Sequence, residues 1–85
     1  MTPREEYLRE ALAELMAVEA KTLSLTTTFD EQGVDSLIGL RFVRKIQDAT
    51  GMDIELEWVF DHPTIEQLAQ FLDERAGRLP NPHHA

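Results

Sequence analysis

The sequence predicts an all-α bundle of three main helices and one short one. Two kinds of observation lead there. Three segments repeat apolar residues at helical spacing. Each is bounded by residues that start or stop helices: Thr2, Asp35 and Thr64 at the starts, Gly51 and Gly77 at the stops. No two segments make a convincing strand pair.

The first helix starts at Thr2. Thr2 and Glu5 form the capping-box pattern, and Pro3 occupies the first helical position. Leu8, Ala11, Leu12, Leu15 and Met16 make its apolar stripe, and the helix is expected to end near Ala20. Glu5, Glu6, Glu10 and Glu14 read as a solvated face. Residues 21–33 read as a loop, because Thr26, Thr27 and Thr28 suit turns better than helix interiors. Leu23, Leu25 and Phe29 are its anchors to the core. A connection this long in a small domain points towards function.

The second helix covers residues 35–50, with Gly51 as its stop. At 100° per residue, Ile38, Phe42, Ile46 and Ala49 share one face and Val43 borders it. Leu37, Arg41, Arg44 and Asp48 occupy the opposite face, with Leu40 at its edge. Residues 54–60 alternate like a strand, Ile54, Leu56 and Trp58 pointing one way. With no second strand to pair with, a loop followed by a helical turn at residues 58–61 is expected. The last helix begins after Thr64, its N-cap, with Gln67 completing a capping box. Ile65, Leu68, Ala69 and Leu72 form the stripe, with Phe71 beside it. Gly77 ends it, leaving residues 1–77 as one domain and residues 78–85 as a flexible tail.

Composition narrows the function. Sixteen acidic against eight basic residues give a net charge of −8. That argues against a nucleic-acid binder, which needs clustered Lys and Arg to meet phosphates. Cysteine is absent, so disulfides, thiolate metal sites and cysteine catalysis are excluded. No apolar run approaches a membrane span and the charged first residues lack a signal-peptide core, so the cytoplasm is the expected compartment. Asp30 and Glu31 lack calcium-loop spacing, and His83 and His84 read as tail residues, so no metal is expected. A chain of this size buries about 60% of its surface, which leaves little room for a deep cleft.

The most informative run is Gly33-Val34-Asp35-Ser36-Leu37. It sets the Ser36 hydroxyl in the first turn of a helix, behind an Asp N-cap, where unpaired N–H groups favour a phosphate ester. On these residues alone three readings stand. Asp35 and Ser36 simply start a helix; Ser36 is a hydrolytic nucleophile served by Asp35 or Asp61 and His62; or Ser36 is modified. The hydrolase has little support: Ser36 sits on no nucleophile elbow, and Ile38 stands where such an elbow has glycine.

Residues 29–37, the amphipathic helix that follows, Gly51, and the run Val59-Phe60-Asp61-His62-Pro63-Thr64 together resemble an acyl carrier protein, over roughly residues 7–72. The resemblance implies an acyl-carrier-type bundle with a long loop between the first two helices. It implies a non-catalytic protein whose Ser36, flanked at the cofactor site by Asp35 and Leu37, carries a covalent 4′-phosphopantetheine arm, installed from coenzyme A by a phosphopantetheinyl transferase that contacts Asp35. The arm would supply the thiol that this chain lacks and hold acyl groups as thioesters. Residues 60–64 look most like polyketide synthase carriers, which implies acyltransferase, ketosynthase and modifying-enzyme partners. Peptidyl carriers have Gly-Gly-x-Ser, and here the second glycine is Val34. Fatty-acid carriers have a strongly acidic second helix, whereas Arg41, Arg44 and Lys45 make this one basic. Glu55 stands where many polyketide carriers have proline. The initial Met and short tail fit a discrete protein, expected to be a monomer.

Leu37 and Leu40, apolar on or beside a polar face, and Arg41 and Arg44 beside them, are the expected partner footprint. Trp58 is either a half-buried packing residue or a groove residue that meets the arm or its cargo. The alternatives to a polyketide carrier are a peptidyl or aryl carrier and an unmodified helical interaction domain.

Overall fold

The chain's computed structural model describes residues 1–78. Among them are four α-helices and no strand: α1 (Pro3–Met16), α2 (Ser36–Thr50), α3 (Leu56–Asp61) and α4 (Ile65–Arg78). None is long and apolar enough to cross a membrane. α1 packs against α2 and α4, and α3 leans on α2. The centre is filled by Leu8 and Leu12 from α1, Phe42 and Ile46 from α2, Val59 from α3, and Ile65, Leu68 and Leu72 from α4, all fully buried. Each such side chain contributes about 1.5–3 kcal/mol relative to exposure.

α1 opens as expected. Thr2 Oγ1 accepts from the Glu5 N–H at 3.1 Å and Glu5 Oε1 accepts from the Thr2 N–H at 2.7 Å. That exchange buries Glu5, correcting its place on the solvated face, while Glu6, Glu10 and Glu14 remain exposed. The helix ends at Met16, not near Ala20. Ala17 turns left-handed (φ 57°), and the Val18 N–H reaches back to the Ala13 carbonyl at 3.0 Å. A left-handed reversal of this kind closes the helix as glycine usually does. A single 3-10 turn (Ala20–Thr22) follows.

One side chain, Gln32, makes three of the bonds that order the rest of the loop. Gln32 Oε1 accepts from the Ser24 N–H at 2.7 Å, and its Nε2 donates to the Ser24 and Thr27 carbonyls at 3.0 and 2.9 Å. Leu23 and Phe29 are buried and Leu25 is half-buried, as their role as anchors requires. Phe29 meets Phe42 edge-on, with ring centroids 5.8 Å apart. The Phe29 N–H donates to the Pro63 carbonyl at 2.7 Å, and the Glu66 N–H to Leu25 at 2.9 Å, tying the loop to the start of α4.

α2 stops at Gly51 in a left-handed conformation (φ 72°). Its inner face is Phe42, Val43 and Ile46, with Ile38 half-buried. Ala49, expected there, is exposed, and it lines a surface cavity of about 350 Å³ with Pro3, Arg4, Tyr7, Thr50 and Asp73. Past Ile46 the neighbouring helices no longer cover α2. Gly39 is buried instead, and a Cβ there would stand 3.3 Å from Leu56 Cδ1. The missing side chain is what lets α3 approach.

α3 starts two residues before the expected turn at 58–61, because Leu56 already packs on the core. Ile54 is a buried anchor whose carbonyl accepts from Gln47 Nε2 at 2.8 Å. Before α4, Thr64 Oγ1 accepts from the Gln67 N–H at 3.1 Å. The return bond of the expected box takes another route: Gln67 Oε1 accepts from the Thr64 hydroxyl at 3.2 Å. α4 passes through Gly77 to Arg78, one residue beyond the expected stop. The remainder of the tail expected at 78–85, with His83 and His84, lies outside the described residues.

Candidate functional site

The approach to Ser36 is a sharp turn. The Gly33 N–H donates to Asp30 O at 3.1 Å and the Val34 N–H to Phe29 O at 2.9 Å, with Gly33 at φ 93°. That positive φ suits glycine and strains other residues. The turn delivers Asp35 in extended conformation as the N-cap of α2. Its Oδ1 accepts from the Ile38 N–H at 2.9 Å, and its carbonyl from the Gly39 N–H at 2.8 Å. Ser36 is thus the first helical residue, exposed at the positive end of a helix.

Of the predicted site residues, Asp35, Ser36, Leu37, Leu40, Arg41 and Arg44 come together on the outer side of α2, and all are exposed. Leu37 and Leu40 keep 57% and 39% of their surface in solvent, although both are large apolar side chains. Beside the start of α2 lies a groove of about 360 Å³, lined by Thr28, Phe29, Asp30, Val34, Asp35, Gly39, Val59, Phe60 and Pro63. Phe60, 61% exposed, forms part of its wall. Sequence reasoning did not single Phe60 out. The available signal was a large aromatic directly after the inward-pointing Val59 on a helix of only six residues.

Trp58 goes elsewhere. It is half-buried and packs edge-on against Phe71 of α4 (5.0 Å, 76°), with the Arg75 guanidinium 4.6 Å above its ring. The groove beside Ser36 does not include it. His62 is stacked on the same Phe71 ring at 4.1 Å. Among the described residues no hydrogen bond links Ser36 to His62, Asp61 or Asp35, so the geometry contains no nucleophile–base pair. No group of three or more metal-ligating side chains occurs among these residues either.

A family model described as the phosphopantetheine attachment site matches residues 6–72. The chain belongs to that family. Its members are non-catalytic carriers with a covalently attached 4′-phosphopantetheine, components of multi-enzyme synthases. A segment of erythronolide synthase EryA2 from Saccharopolyspora erythraea is 35% identical over 71 residues, 82% of this chain and 2% of that protein. Polyketide synthase PksL of Bacillus subtilis is 29% identical over 72 residues, 85% of this chain and again 2% of the relative. The carrier domain therefore spans only a small fraction of these curated relatives. Among solved structures, a free-standing peptidyl carrier protein from an Acinetobacter baumannii secondary metabolic pathway superposes with a TM-score of 0.83 at 29% identity, covering 86% of this chain and 91% of that one. Sequence, fold and relatives agree on an all-helical carrier domain, similar in sequence to segments of polyketide synthases and in fold to a peptidyl carrier protein.

Proposed function

We propose that Ser36 is the attachment point of the 4′-phosphopantetheine, and that the domain carries acyl intermediates of polyketide assembly between enzymes. The observation that carries this reading is an exposed serine hydroxyl at the first position of a capped helix, inside the span that matches the family. The residues fit the group. The hydroxyl is open to a transferase, and the helix end complements a phosphodiester charge. When bound, the arm supplies the thiol that a cysteine-free chain lacks. The chain's own residues then have two tasks: to hold the anchor still and to be recognised. Asp35 does the first through its bond to Ile38. A long tether also turns each later encounter into one at high effective concentration.

The partners in this reading are a phosphopantetheinyl transferase, then acyltransferase, ketosynthase and modifying enzymes of a polyketide pathway. They meet a monomer in the cytoplasm. The footprint is Asp35, Leu37, Leu40, Arg41 and Arg44; Trp58, engaged by Phe71 and Arg75, is left out of it. Val34 in place of a second glycine, and the run Phe60-Asp61-His62-Pro63-Thr64, favour a polyketide over a peptidyl carrier.

Intact mass after incubation with coenzyme A and a broad-specificity phosphopantetheinyl transferase tests the attachment. A gain of one phosphopantetheine that disappears in Ser36→Ala is expected. No gain in a folded, unmodified sample would overturn the reading in favour of a plain helical interaction domain. Loading of the holo form by a malonyl-type acyltransferase, against loading by an amino-acid-activating enzyme, separates the polyketide reading from the peptidyl one.

A further inference from the structure

We propose that the outer stripe of α2, extended across the groove by Phe60, docks enzymes that present an apolar socket with an acidic rim. The proposal rests on the carrier reading above and adds the chemistry of the partner.

The charge pattern is the starting point. The chain carries −8 overall, and four of its eight basic side chains are engaged within the fold. Arg4 pairs with Asp73 at 3.0 Å, Lys45 with Glu14 at 3.3 Å and Lys21 with Glu19 at 3.4 Å, while Arg75 lies over Trp58. Arg41 and Arg44 have no ion pair or hydrogen bond to side chains among the described residues. They stand three positions apart on one helix face, a spacing at which like charges repel slightly. No ion pair or side-chain hydrogen bond among the described residues engages these two exposed guanidinium groups, which leaves both open to an acidic partner.

The apolar pattern points to the same face. Leu37, Leu40, Arg41 and Arg44 fall at i, i+3, i+4 and i+7, a continuous stripe beginning one residue after Ser36. Phe60 adds an exposed aromatic on the groove side, where Asp30 and Asp35 supply the only charges of the lining. An apolar centre with an aromatic anchor and arginines at its edge is the composition of a protein–protein contact. The complementary surface is apolar in the middle and acidic where it meets Arg41 and Arg44. An anionic lipid surface is the weaker fit, because the other charges of the chain would be repelled by it.

The experiment uses the whole chain, loaded at Ser36 with a pantetheine analogue bearing a chloroacryloyl group, which alkylates the active-site cysteine of a ketosynthase only after docking. Two ketosynthases are compared, one with an acidic rim at its active-site entrance and one with a basic rim. Each rate is divided by the rate of the free pantetheine analogue with the same enzyme. The expected result is cross-linking about tenfold faster to the acidic-rimmed enzyme. The double variant R41E/R44E should reverse that preference, and R41Q/R44Q should abolish it, both at an unchanged circular-dichroism melting temperature. Phe60→Ala should slow both enzymes. Equal or faster reaction with the basic-rimmed enzyme, or a preference that R41E/R44E leaves unaltered, overturns the proposal. So does binding to phosphatidylglycerol vesicles that R41E/R44E removes while the enzyme preference stays flat. Failure of the carrier reading shows separately and earlier, as a chain whose mass does not rise on loading.

Discussion

The two faces of α2 use similar side chains for opposite ends. Inward stand Phe42 and Ile46, fully buried; outward stand Leu37 and Leu40, exposed. Both pairs are large and apolar, and both sit on one helix of fifteen residues. What separates them is the angle at which each leaves the helix axis, together with what the other helices happen to cover. An apolar residue on a helix is therefore no sign of core by itself. Leu37 and Leu40 on the uncovered side of the helix, with Arg41 and Arg44 beside them, are the docking footprint proposed above.

The contrast can be broken by mutation, beginning on the inner face. Phe42→Ala removes a fully buried ring and its edge contact with Phe29, and should cost about 3–5 kcal/mol in urea unfolding. A loss below about 1 kcal/mol would mean the inner face collapses around the gap and is less specified than its burial implies. Gln32→Ala comes next. It leaves the Ser24 N–H and two loop carbonyls without their partner, a loss of about 1–3 kcal/mol. Hydrogen exchange at the Ser24 amide should accelerate, and unchanged protection there would show that the loop is ordered by other means. Asp35→Ala removes the bond to the Ile38 amide at the boundary between the faces, for about 1 kcal/mol in thermal unfolding. Smallest in stability is Leu37→Ala on the outer face, expected to stay within about 0.5 kcal/mol of the parent. The same variant should slow arm transfer by the phosphopantetheinyl transferase. Transfer kinetics indistinguishable from the parent would remove Leu37 from the docking face.

What could be read in the sequence follows from how local the responsible chemistry is. The starts of α1, α2 and α4 are written in Thr2, Asp35 and Thr64, whose side chains bond backbone groups three residues on. Gly51 marks the end of α2 because a left-handed residue there favours glycine. The end of α1 escaped because an alanine, Ala17, takes that conformation. Gln32 escaped because its bonds reach backbone five and eight residues away, a pattern without sequence period. Ala49 obeys the helical period, yet the period says nothing about where a neighbouring helix stops covering it. The candidate site divides along the same line. Asp35 and Ser36 were legible as a cap and the residue it exposes. Phe60 and the actual neighbours of Trp58 depended on how α3 settles against α2 and α4, which Gly39 permits by having no side chain.

The position of Ser36 has a mechanical consequence. A group attached there hangs from the end of a rod whose inner face is locked into the core by Phe42 and Ile46. The rod offers no slack of the kind that a loop would give. The volume such a group can sweep is then fixed by its own length, and an enzyme lying beyond that radius is reached only when the whole body travels.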